Sequence, residues 1–103
     1  MILSESELVA ALTRDRAAGK RIAFASVSFD LLRVGEVRLL QAAAAKADRL
    51  VVAVVDDASS PRVIAVNDRA ELVDGLRGVD YVIVCAADRV DPLAALLMPD
   101  VRA

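Results

Sequence analysis

Apolar positions recur along the chain in two rhythms, one helical and one continuous. Leu8, Ala11 and Leu12 follow Ser4-Glu5-Ser6-Glu7 at helical spacing. Ser4 and Glu7 stand three apart, so the hydroxyl can accept from the Glu7 amide while the carboxylate reaches back. Gly19 supplies a stop, and a first helix is predicted over 4–18. Residues 21–27 are short, largely apolar and β-compatible, which predicts a buried strand. Val37, Leu40, Ala43 and Ala44 share one face of a second helix over 36–47. Residues 49–55 predict a second strand, apolar without interruption from Leu50 to Val55, the kind a parallel sheet covers on both faces. Asp68 and Glu71 at capping-box spacing open a third helix that stops at Gly78. A third strand is expected over 80–85. Asp91-Pro92 reads as an N-cap followed by proline at the first helical position, opening a short helix to Leu97. Pro99-Asp100 then leads into a possible fourth strand over 100–103.

Helices alternating with buried strands predict one three-layer α/β domain over 1–103, Rossmann-like, with a short parallel sheet. No internal repeat, linker or low-complexity tract interrupts it.

Composition narrows the function more than the fold. The 103 residues are 57% hydrophobic and 27% charged, which excludes a disordered chain. Thirteen basic against 15 acidic side chains, interspersed, give a net charge of −2 and no field for nucleic acid or an anionic membrane. No apolar run approaches a bilayer span, and 1–5 lacks a signal-type start, so a cytoplasmic protein is expected. There is no histidine, hence no Ser-His dyad and no imidazole acid, base or metal ligand. The one cysteine, Cys85, has no partner in its own chain and reads as a small buried hydrophobe. No set of residues predicts a bound metal.

In an open parallel sheet, ligands bind beyond the carboxyl ends of the strands. The connection after the first strand, residues 26–36, leads into a helix N-terminus whose amides favour an anion. Its Phe24-Ala-Ser-Val-Ser28-Phe29-Asp30-Leu-Leu-Arg33-Val-Gly35-Glu36 resembles the first motif of the cytidylyltransferase-like nucleotidyltransferases, close to F-x-N-G-C-F-D-x-L-H-x-G-H. Within that family the likeness is nearest to the heptose-phosphate adenylyltransferase domain. Asp48–Val54 with Asp57-Ala58-Ser59, Arg69–Val73 with Val79–Val82, and Pro99-Asp100 continue it in the family's order.

The resemblance implies a nucleotide-binding α/β fold, with substrate contacts at Ser28, Phe29, Asp30, Arg33, Gly35 and Glu36. The departures change what those residues can do. Where the family has two histidines on the nucleotide phosphates, this chain has Arg33 and Glu36, and only Gly35 is kept. Arginine can still pair with phosphate, but a carboxylate repels it. Since electrostatic stabilisation usually dominates such transfers, reversing its sign costs orders of magnitude in rate. The family's Asn-Gly-Cys is Ser26-Val27-Ser28 here, its helix lysine falls near Ala44 or Ala45, and its last strands lie beyond residue 103. Asp57 and Arg69 read as structural.

The expectation is therefore a degenerate, C-terminally shortened member of the fold without catalytic residues or cofactor, retaining weak nucleotide or phosphate binding or serving as an interaction module. The rival is an active adenylyl- or cytidylyltransferase for a sugar or polyol phosphate, using an R-x-G-E motif and magnesium with its nucleoside triphosphate. The resemblance implies the strand order 3-2-1 with the fourth strand vestigial, so the first strand is expected to show a nearly bare apolar edge. A homodimer or hetero-complex through that edge follows.

Overall fold

The computed structural model describes residues 1–27, 34–56 and 65–103, with the backbone alone at Val34. Helix α1 (Glu5–Ala17) precedes β1 (Ile22–Val27), and α2 (Val34–Ala45) precedes β2 (Arg49–Asp56). Helix α3 (Val66–Asp74) leads to β3 (Tyr81–Ala86); a 3-10 turn (Ala87–Arg89) runs into α4 (Val90–Leu97), and β4 (Val101–Arg102) closes the order. The sheet has four strands in the order β3-β2-β1-β4, all parallel. Ile22 to Val27 stand opposite Arg49 to Val54, and Val51 to Asp56 opposite Tyr81 to Ala86.

The strands carry apolar residues at nearly every position because both faces are covered. Ala23, Ala25, Val27, Leu50, Val52, Val54 and Val82 meet Leu40 and Ala43 of α2 and Ala70 and Val73 of α3. On the opposite face Ile22, Phe24, Val51, Ala53 and Ile83 meet Leu8 and Leu12 of α1 and Leu93, Ala94 and Leu97 of α4. Each large aliphatic side chain removed from water contributes about 1.5–3 kcal/mol. That is what turns weakly amphipathic helices into fixed layers. No helix among the described residues is long and apolar enough to cross a membrane.

At the start of the sheet, three aspartates perform one task. Each precedes a strand and caps the strand beside it. The Asp48 carboxylate accepts from the Arg21 amide (2.8 Å), Asp80 from the Leu50 amide (2.9 Å) and Asp100 from the Ile22 amide (2.8 Å). Their own amides donate back to the carbonyls of Arg21, Leu50 and Ile22. The first amides of buried strands are thereby satisfied where no further ladder exists.

The capping box forms as predicted: Ser4 Oγ accepts from the Glu7 amide at 3.3 Å, and Glu7 Oε1 from the Ser4 amide at 3.0 Å. Two other helix starts differ from expectation. Helix α3 begins two residues before Asp68, after Ala65, with no side-chain cap; Asp68 lies in its first turn, where the macrodipole favours a carboxylate. It ends at Asp74 with Gly75 as its cap rather than at Gly78, because past Gly75 the bonds tighten to i→i−3, the Leu76 amide donating to the Val73 carbonyl at 3.0 Å. In α4 the 3-10 turn feeds straight into the helix, so Asp91 and Pro92 are its second and third residues. A first-turn amide has no acceptor within the helix, so proline fits there at no loss. Asp91 pairs instead with Arg102 of β4.

The expectation of a nearly bare first-strand edge is corrected. Strand β4 pairs with Ala23 and Phe24, and the Ala103 amide donates to the Phe24 carbonyl at 2.9 Å. The Arg102 guanidinium lies 6.0 Å from the centre of the Phe24 ring. Only the upper end of β1, from Ala25 to Val27, lacks a β4 partner among the described residues. The far edge, on β3, is bridged by Ile2 opposite Val82.

Candidate functional site

Helix α2 returns antiparallel to β1, so it starts above the carboxyl end of the sheet. Its first turn holds Gly35, exposed, and Glu36, half-buried. Among the described residues, a side chain at Gly35 would meet nothing within 4 Å. Glu36 is the third residue of α2 and the acidic residue of its first turn. A carboxylate there satisfies the positive end of the helix from within the chain. An anionic ligand at the same amides meets that charge.

Helix α3 contributes Arg69, which is 4% exposed and the one charged residue that the fold buries among those described. Its Nη1 donates to the Val55 carbonyl at 3.1 Å, while its Nε has no hydrogen-bond partner among the described residues. Carbonyl direction alternates along β2. Arg49 bonds towards β1, through the Arg21 carbonyl, and Leu50 towards β3, through Asp80. Val55, six residues after Arg49, therefore faces β1, one position past the last β1–β2 pair of Val27 and Val54. The guanidinium is held on the β1 side of β2.

A second concavity lies on the opposite face, at the end of β3. It encloses about 250 Å³ between Ser4 and Glu5 of the α1 start, Ile83, Cys85, Arg89 and Leu93. Glu5 and Arg89 pair across it at 3.7 Å. Cys85 is half-buried here rather than fully buried as expected, because β3 ends at the cleft. Burial pushes its thiol up and Arg89 pulls it down, with a net rise, so the neutral thiol predominates near pH 7.

Of the residues expected at the site, the structure places Gly35 and Glu36 together at the head of α2. Ser28, Phe29, Asp30 and Arg33 lie outside the described residues, as does Asp57. Among the described residues, no three His, Cys, Asp or Glu are grouped to hold a metal ion. Arg69 was read as structural, and its buried position was legible: it shares the inward helical spacing of Ala70 and Val73.

Residues 25–101 match the cytidylyltransferase-like family. The chain belongs to that family. It is 38% identical over 107 residues to the bifunctional protein HldE of Ectopseudomonas mendocina (strain ymp), with 97% of this chain and 23% of that protein covered. HldE of Alkalilimnicola ehrlichii is 37% identical over 107 residues, covering 97% of this chain and 22% of that protein. The chain thus spans 22–23% of the length of these relatives. Among solved structures, a lipopolysaccharide core biosynthesis protein from Thermoplasma volcanium GSS1 superposes with a TM-score of 0.73 at 25% identity. The match covers 82% of this chain and 73% of that one.

Proposed function

We propose that this member of the cytidylyltransferase-like family does not transfer nucleotides and keeps a weak site for a nucleotide or phosphate group at the head of α2. The observation that carries the reading is Glu36, a half-buried carboxylate in the first turn of α2, where the family motif has a phosphate-binding histidine. Transfer needs donors aimed at developing negative charge, and a carboxylate there opposes it. The helix amides and Gly35 still support binding of an anion.

A pyrophosphate-release assay with the four nucleoside triphosphates and magnesium, against a panel of sugar and polyol phosphates, tests the first half. No turnover is expected. Turnover that disappears in Arg33→Ala would overturn the reading in favour of an active transferase with an R-x-G-E motif. Calorimetric titration with ATP and CTP tests the second half, with weak binding expected.

A further inference from the structure

Strand β3 carries one short bare length of edge. The Val82 amide donates to the Met1 carbonyl and its carbonyl accepts from the Leu3 amide, both at 2.8 Å, so Val82 faces away from β2. Backbone direction alternates along a strand, so Val84 faces the same way. By that height the chain has turned into α1, and the Ser4 amide donates to Glu7 instead. The Val84 amide and carbonyl thus have no strand beside them among the described residues, between the Ile2 bridge and the Ala86 that opens the 3-10 turn.

Val84 also walls the cavity of about 250 Å³ at the end of β3. Glu5 and Arg89, both half-exposed, face each other over it at 3.7 Å. That is longer than the roughly 2.7–2.9 Å of a charge-assisted hydrogen bond. Among the described residues neither pairs with another charge. Ile83 and Leu93 line the same cavity with apolar surface. We propose that this cavity binds a free α-amino acid with a short apolar side chain. Its ammonium meets Glu5, its carboxylate meets Arg89, and the bare Val84 carbonyl and amide supply a second acceptor and donor for the same two groups. The side chain rests against Ile83 and Leu93.

Three other ligand classes fit less well. The volume is below the roughly 300–1,000 Å³ of sites for drug-sized ligands, which is too small for a nucleotide. The Glu5 carboxylate opposes a phosphate. One bare residue of edge is too short to add a peptide strand. The cavity lies on the α1–α4 face of the sheet, opposite α2, and the proposal stands apart from the reading above.

Cys85 lines the cavity and is the one cysteine of the chain, so its alkylation by iodoacetamide reports occupancy. L-Valine is the probe, with isobutylamine and 3-methylbutanoate as analogues that each keep one of its charges. Valine should slow alkylation of the wild-type chain with a millimolar or lower midpoint. Each analogue should act at least about tenfold more weakly. Glu5→Gln and Arg89→Gln should each raise the valine midpoint at least about tenfold, read as the ratio of rates with and without valine in that variant. A rate unchanged by valine up to its solubility limit would overturn the proposal. So would equal protection by either analogue, or wild-type protection in either variant. Urea unfolding confirms that the variants fold, and should one fail, the wild-type comparison of valine with its analogues decides alone.

Discussion

Asp100 and Ile22 bond reciprocally across the β4–β1 edge: the Ile22 amide donates to the Asp100 carboxylate and the Asp100 amide donates to the Ile22 carbonyl, both at 2.8 Å. Ile22 is fully buried, so removing the carboxylate strands a polar group away from water. Asp100→Ala should destabilise by about 1–3 kcal/mol, and Asp80→Ala similarly through the buried Leu50 amide. Arg21 is exposed, water can replace its acceptor, and Asp48→Ala should cost less than about 1 kcal/mol. Urea denaturation ranks them, and an Asp48 variant as damaging as the other two would contradict the argument.

Tyr81 reports on pH directly, because the chain has one tyrosine and no tryptophan. Its hydroxyl donates to Asp15 Oδ2 at 2.6 Å, and Asp15 also pairs with Arg49 at 3.5 Å. Burial first, and then the bond to Asp15, raises its ionisation above the usual 10.0. A group whose folded pKa is raised contributes stability below its unfolded pKa and loses it as pH climbs through the folded one. Stability should therefore fall on the alkaline side of pH 10, with phenolate absorbance rising late. Tyr81→Phe should cost about 0.5–1.5 kcal/mol at neutral pH and flatten that alkaline decline. An unshifted phenolate midpoint in the folded protein would remove the basis for it.

Gly78 and Gly19 separate two costs that usually come together. Both have positive φ, +91° and +79°. A methyl at Gly19 would meet nothing, whereas one at Gly78 would sit 3.1 Å from the Ala44 Cβ of α2. Gly19→Ala should lose about 1–2 kcal/mol from backbone strain alone. Gly78→Ala should lose more, since α2 must also shift. Equal thermal midpoints for the two would show that α2 yields freely.

The order of elements was legible because burial on both faces leaves apolar runs at 50–55 and 81–85, and one at 22–27 broken only by Ser26, with no local signal competing. The starts of α3 and α4 were not. Asp68 and Asp91 carry the chemistry of caps, but the turns before them had already begun the helix. The three strand-capping aspartates were invisible for another reason: each acts on a strand 27 to 78 residues away. The bare edge was overestimated because a two-residue strand is extended at both ends by single hydrogen bonds, at Asp100 and Ala103. At the site, Gly35 and Glu36 were legible through the motif. Arg69 needed the register of β2 to show which way its bond to the Val55 carbonyl points.

Glu36 offers the sharpest contrast at the site, because its removal should move stability and binding in opposite directions. In the first turn of α2 its charge complements the helix dipole, so Glu36→Gln should lower the stability of the unliganded chain by about 0.3–1 kcal/mol. The same change removes the charge that faces an incoming phosphate. Pyrophosphate should then bind about two- to fivefold more tightly, and Glu36→His, which also adds a donor, should bind a nucleoside triphosphate at least as well as Glu36→Gln. Thermal unfolding without ligand and calorimetry with it give the two signs independently. Weaker binding in both variants would place the anion away from the head of α2. Restored pyrophosphate release in Glu36→His would mean instead that this one carboxylate is what holds the site from chemistry.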